Sequence, residues 1–122
     1  MSRDNWLFVF QSAPSEAGLT ADGLDFCLVA ASFGVNSKLL FIGDGLQHLI
    51  NTEASAKRGM LLPSFTKTFK ALADFEIEQC YILEQGLGHL DLIERDLSIE
   101  VEIIETSEIR LLLDSASKVF HF

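Results

Sequence analysis

Positive charge is scarce in this chain. Nine Lys and Arg stand against 18 Asp and Glu, a formal net charge of −9 over 122 residues, and Lys57-Arg58 is the sole adjacent cationic pair. Affinity for nucleic acid comes largely from Lys and Arg neutralising phosphates, so a direct nucleic-acid surface is not expected. Proline occurs twice and no Gly/Ser-rich run is present. That leaves no candidate linker, and residues 1–122 are read as one domain. Cysteine also occurs only twice, and Cys27 and Cys80 show neither CxxC nor Cys/His spacing. Both fall in apolar periodic segments and are read as reduced, buried core residues. The opening segment has five consecutive apolar residues, Trp6 to Phe10, too few for a signal-peptide core. No run approaches the roughly 18 needed to cross a bilayer. A cytoplasmic chain without a membrane partner is the expectation.

What the chain does have is apolar bulk. It is 48% hydrophobic, with ten Phe, enough for a full core. Trp6-Leu7-Phe8-Val9-Phe10 is a continuous apolar run ending at Gln11-Ser12-Ala13-Pro14, which suits a strand buried on both faces. Leu24, Cys27, Leu28 and Ala31 then share one helical face, stopped by Gly34. A second strand is expected at 38–42, followed by Gly43-Asp44-Gly45 and a short helix over 46–50. Residues 51–62 show no clean period and are read as a long loop. Pro63-Ser64 opens a helix with Phe65, Phe69 and Leu72 on one face. Strands follow at 79–84, 101–104 and 118–122, separated by helices marked by Leu90, Ile93 and Leu97 and by Ile109, Leu112, Leu113 and Ala116. This alternation predicts an α/β, flavodoxin-like three-layer fold with a five-stranded parallel sheet in the order 2-1-3-4-5. Phe65, Phe69, Phe75, Phe120 and Phe122 crowd two regions, which suggests either a Phe-rich core or an apolar association patch.

Sites in such folds form at the carboxyl ends of the strands. After the first strand, Glu16 stands where a phosphate-cradling loop needs glycines and hydroxyls, and neither GxGxxG nor GxxxxGK[ST] occurs. Asp44, between two glycines, is read as the cap of the next helix rather than a ligand. His48, His89 and His121 are far apart, have no acid at ligand spacing, and are read as helix-surface or terminal residues. No serine has the G-x-S-x-G context of a hydrolase. Cys80 opens its strand at the edge opposite the functional one, with Glu76 and Glu78 nearby to disfavour a thiolate. No catalytic residue, cofactor site or metal site is expected.

Several segments in order bear a family likeness. Phe8-Val9-Phe10-Gln11-Ser12-Ala13-Pro14 and Gly23-Leu24-Asp25 resemble the opening of the sulfur-relay TusC/DsrF proteins. Phe41 to Leu49, Thr68-Phe69-Lys70-Ala71-Leu72, Ile77-Glu78-Gln79-Cys80-Tyr81 and Val119-Phe120-His121-Phe122 are similar to their later motifs, so the likeness runs along essentially the whole chain. It implies a DsrE/F/H-type fold and a heterohexamer with TusB-like and TusD-like subunits. Such a complex passes persulfide sulfur from a TusA-like donor to a TusE-like acceptor, for tRNA wobble 2-thiouridine or for sulfur oxidation. In that family the TusD/DsrE subunit carries the sulfur-accepting cysteine just after the third strand. The matching stretch here, Tyr81 to Leu87, has none, and Leu83 stands where some relatives have Cys. The resemblance therefore implies a non-catalytic subunit. The alternative is an independent sulfurtransferase using Cys80 or Cys27. The segment 51–62 departs most from the family pattern.

Overall fold

The computed structural model describes residues 4–14 and 19–122, apart from the side chains of Leu19, Ser64 and Phe65. Five strands alternate with helices: β1 (Asn5–Phe10), α1 (Leu19–Ser32), β2 (Asn36–Phe41), α2 (Thr52–Lys57), β3 (Gln79–Leu83), α3 (Glu84–His89), β4 (Glu102–Ile104), α4 (Thr106–Ser115) and β5 (Lys118–His121). Three 3-10 segments, Gly43–Leu49, Ser64–Phe75 and Glu94–Asp96, fill the connections. All strand pairs are parallel, as the unbroken apolar runs require.

The α/β class and the five-stranded parallel sheet agree with the sequence. The strand order is β4-β3-β2-β1-β5, which corrects the expected 2-1-3-4-5. β1 lies between β2 and β5, with Phe8 beside Leu39 on one side and Phe120 on the other, while β3 pairs with β2 rather than β1. Three connections therefore step the same way, and only β4 to β5 reverses. Right-handed crossovers then put everything between β1 and β4 on one face and α4 alone on the other.

The core follows that division. On the crowded face Phe8, Phe10, Leu39, Phe41, Cys80 and Ile82 pack with Leu24 and Cys27 of α1 and with Leu46, Leu49, Phe69 and Leu72. Phe10, Phe41 and Phe69 form a ring cluster with centroids 5.2–5.6 Å apart. On the sparse face Leu7, Val9, Leu40, Tyr81, Leu83 and Ile104 meet only Ile109, Leu112 and Ala116 around α4, together with Ile42 and Val119. No residue of α4 is fully buried.

Three local expectations change. The expected loop over 51–62 holds α2, capped where the Ala54 amide donates to Asn51 Oδ1 at 2.8 Å. The helix opened by Pro63-Ser64 is 3-10 rather than α and ends at Glu76 in the left-handed region, φ 63°. The helix expected around Leu90 to Leu97 lies earlier, as α3, with Gly86 and Gly88 inside it and Asp91 at φ 53° just beyond its end.

Candidate functional site

The carboxyl edge of the sheet offers two places for chemistry, the ends of β1 and β3. At the end of β1 the space is filled by the 3-10 segment Gly43–Leu49. The Ile42 amide donates to the Phe10 carbonyl at 3.0 Å, and Gly45 sits so close that a Cβ there would overlap that same carbonyl. His48 completes the closure. It is 1% exposed, touches the Phe10 and Phe69 rings, and bonds the Ser12 carbonyl through Nε2 at 3.0 Å. A carbonyl only accepts, so Nε2 carries the proton. Burial pulls the His48 pKa down to about 4, against the pull of Ser12, and the ring is neutral at physiological pH.

His48 is thus a core residue, which corrects its reading as a surface histidine; His89 and His121 are exposed as expected. Its signal was the company of Leu46, Leu49 and Ile50. The expected Asp44 cap is also corrected. The segment starts three residues before the expected Leu46, at Gly43, with Ile42 in the cap position and no side-chain cap bond. Asp44 is exposed, and Gln47 Nε2 donates to its Oδ1 at 3.4 Å.

The end of β3 is the topological switch point, because the chain leaves β3 toward the crowded face and leaves the adjacent β4 toward the sparse one. A cleft of about 270 Å³ opens there between Leu83, Glu84 and Gln85 on one side and Ile104, Glu105 and Thr106 on the other. α3 and α4 both begin at this cleft, and neither has a side-chain cap bond. Free helix amides favour an anion, but Glu84 and Glu105 bring two carboxylates to the same opening. Leu83, 9% exposed, occupies the sheet position at its base. None of the six lining side chains is a thiol, an imidazole or an amine, so the cleft has the position of an active site without a thiol nucleophile.

The two cysteines lie elsewhere. Cys27 is on the inner side of α1, fully buried, and Cys80 is the second residue of β3, 3% exposed; both thiols are free. Burial pushes each pKa up to about 12, and Cys80 raises Cys27 further. Cys80 borders a cleft of about 560 Å³ at the amino edge of the sheet, shared with Lys70 and Glu78. The thiolate is the nucleophile, and both groups are held as thiols. Among the described residues the exposed phenylalanines are Phe26 (37%), Phe33 (86%) and Phe75 (40%), while Phe120 and Phe122 are partly buried against the core. Phe122 rests on Gly23 so closely that a Cβ there would meet its ring, which explains the glycine of the Gly23-Leu24-Asp25 motif.

A parallel α/β sheet with a switch-point cleft defines a doubly wound protein, and among the described residues that cleft is lined without a thiol. Residues 4–122 match the model of the DsrE/DsrF-like family, and the chain belongs to that family. It is 28% identical over 115 residues to a "Protein TusC homolog" of Vibrio vulnificus, covering 94% of this chain and 96% of that one. A "Protein TusC homolog" of Haemophilus influenzae is 30% identical over 117 residues, covering 94% and 97%. The "Intracellular sulfur oxidation protein DsrF" of Allochromatium vinosum is 27% identical over 131 residues, covering 96% and 95%. The crystal structure of the ychN protein from E. coli shares the fold, with a TM-score of 0.77, 14% identity, and coverage of 98% and 99%. Among the described residues, no helix is long and apolar enough to cross a membrane.

Proposed function

We propose that this chain is a non-catalytic, structural subunit of a cytoplasmic sulfur-relay complex of the TusBCD/DsrEFH type. In this reading it sits in a heterohexamer with TusB-like and TusD-like subunits. The complex takes persulfide sulfur from a TusA-like donor, hands it to a TusE-like acceptor and serves wobble 2-thiouridine synthesis in tRNA. One observation carries the reading: the cleft at the end of β3 presents Leu83, Glu84 and Glu105 in place of a thiol. A persulfide anion beside two carboxylates would be destabilised by like charge. The burial of Cys27 and Cys80 opposes the alternative, an independent sulfurtransferase.

The test is sulfur transfer in the reconstituted complex with Cys27→Ser and Cys80→Ala combined, after circular dichroism confirms the fold. Transfer should continue at the wild-type rate. Loss of transfer in a correctly assembled complex would overturn the reading. In the native chain, neither thiol should react with a disulfide reagent at pH 8 within minutes, while both react in guanidinium. For the end product, deleting the gene should lower 2-thiouridine in tRNA; unchanged tRNA with impaired sulfur oxidation would place the complex in the other pathway.

A further inference from the structure

Helix α1 packs on β1, β2 and the Ser64–Phe75 segment and still leaves an apolar side uncovered. From Phe26 to Val35 the chain carries no charged residue. Cys27 and Ala30 point into the core, while Val29 and Phe33 are 53% and 86% exposed and Phe26, 37% exposed, rests its inner side on Trp6, Phe8 and Phe120. Their spacing of three and four residues aligns them in one stripe. A helix apolar on both sides is normally buried on both sides. On α4 the exposed Leu111 and Leu113 are instead flanked by charge on either side, with Arg110 and Asp114 ion-paired at 3.7 Å.

The rim of the stripe identifies its occupant. Asp22 and Asp25 lie exposed on the first half of α1. At its far end the helix carries no basic residue in the last turn, so the negative end of its dipole is uncompensated. Asp4, also exposed, is tied there through its carbonyl, which accepts from the Asn36 amide at 3.0 Å. Among the described residues the cation on this side is Lys118, which lies over the Trp6 ring at 5.3 Å. We infer that the Phe26-Val29-Phe33 face, on α1 and the turn that follows it, is the docking surface for a different protein chain, one presenting an apolar patch ringed by Lys and Arg. A second copy of this chain is the wrong partner, since it brings the same acidic rim and another net charge of −9.

The inference rests on the proposed membership of a relay complex, and the experiment separates the two. The full chain is co-expressed with the TusB-like and TusD-like proteins of the same cell, and assembly is followed by sedimentation and by binding affinity. Wild type should assemble, and Phe33→Asp should weaken the affinity about thirtyfold or more, as at a central interface residue. Its melting temperature should not change, because Phe33 makes almost no contact within the chain. Asp25→Lys should slow association and flatten its dependence on salt. Wild-type assembly left unaffected by both substitutions overturns the docking surface alone. Failure of the wild type to assemble overturns the complex and this surface with it. A wild-type homodimer that Phe33→Asp turns into monomer also overturns the inference, by making the occupant a second copy.

Discussion

Two glycines two residues apart illustrate how differently a single position can be constrained. Gly43 has φ 53° with no atom near its missing Cβ, whereas Gly45 is pressed against the Phe10 carbonyl. Gly43→Ala should cost about 1 kcal/mol, the strain of the left-handed region. Gly45→Ala collides with backbone that cannot swing aside, and should cost about 3 kcal/mol. That loss corresponds to a fall of roughly 10 °C in melting temperature for a domain of this size. Equal losses in the two variants would remove the close approach as the explanation. His48 sets a pH dependence of definite sign. Its folded pKa is about 4 against an ordinary 6.5, so between these values the unfolded chain holds a proton that the folded chain refuses. The stabilisation is complete above pH 6.5 and is lost as pH falls toward 4, by at most about 1.4 kcal/mol per unit. Denaturant unfolding at pH 7, 6 and 5 should show this decline, and His48→Gln should reduce it. Parallel profiles for the two proteins would count against the buried imidazole as its source.

At the level of elements, α2 is tied down at both ends, by Asn51 at its start and by Arg58, which donates to the Leu90 and Asp91 carbonyls, at its end. Asn51 Oδ1 accepts from the Ala54 amide, and Asn51 Nδ2 donates to the Arg95 carbonyl at 2.9 Å, joining the helix to the Glu94–Asp96 turn. Asn51→Ala should cost about 1 kcal/mol or more. Asn51→Asp should recover the cap but not the bond to Arg95, and a thermal melt should place it between the two. The sequence concealed this helix because it has just two buried residues, Ala54 and Ser55, too few to make a period. Its legible signals were the Asn51 cap, Glu53 in the first turn and Lys57 in the last. The strands read correctly because each has a short apolar centre, such as Leu7 to Phe10, Leu39 to Phe41 and Tyr81 to Leu83. α3 did not, because glycines at 86 and 88 look like helix breakers and its boundary depends on Asp91 entering the left-handed region.

For the whole molecule, strand order was hidden for the same reason that the strands were plain. Five parallel strands with apolar residues on both faces present equivalent edges, and nothing in their composition selects neighbours. Carboxyl-edge chemistry was more readable: no thiol follows β3, and the structure places Leu83, Glu84 and Glu105 around the switch-point cleft. The partner of Glu105 in that cleft could not be found from sequence, since it depends on β4 lying beside β3. The exposed stripe on α1 was missed because Phe26, Val29 and Phe33 flank the inward set Leu24, Cys27 and Ala31, and a helix apolar all round gives no contrast.

The pairing of β1 with β5 also governs how the chain reaches this structure. β1, β2 and β3 each meet the strand next in sequence, but Trp6 pairs with Lys118 across nearly the full length of the chain. Closing so long a loop is entropically costly, so contacts of this range form late in folding. Phe120, packed against Trp6, Phe8 and Phe26 at centroid separations of 5.3, 5.5 and 4.9 Å, reports on that step. Phe120→Ala should cost about 3 kcal/mol, nearly all of it as faster unfolding, with the refolding rate almost unchanged. Phe41→Ala, in the neighbouring β2, should instead slow refolding. A stopped-flow comparison showing the reverse would mean that the molecule begins by joining its two remote strands.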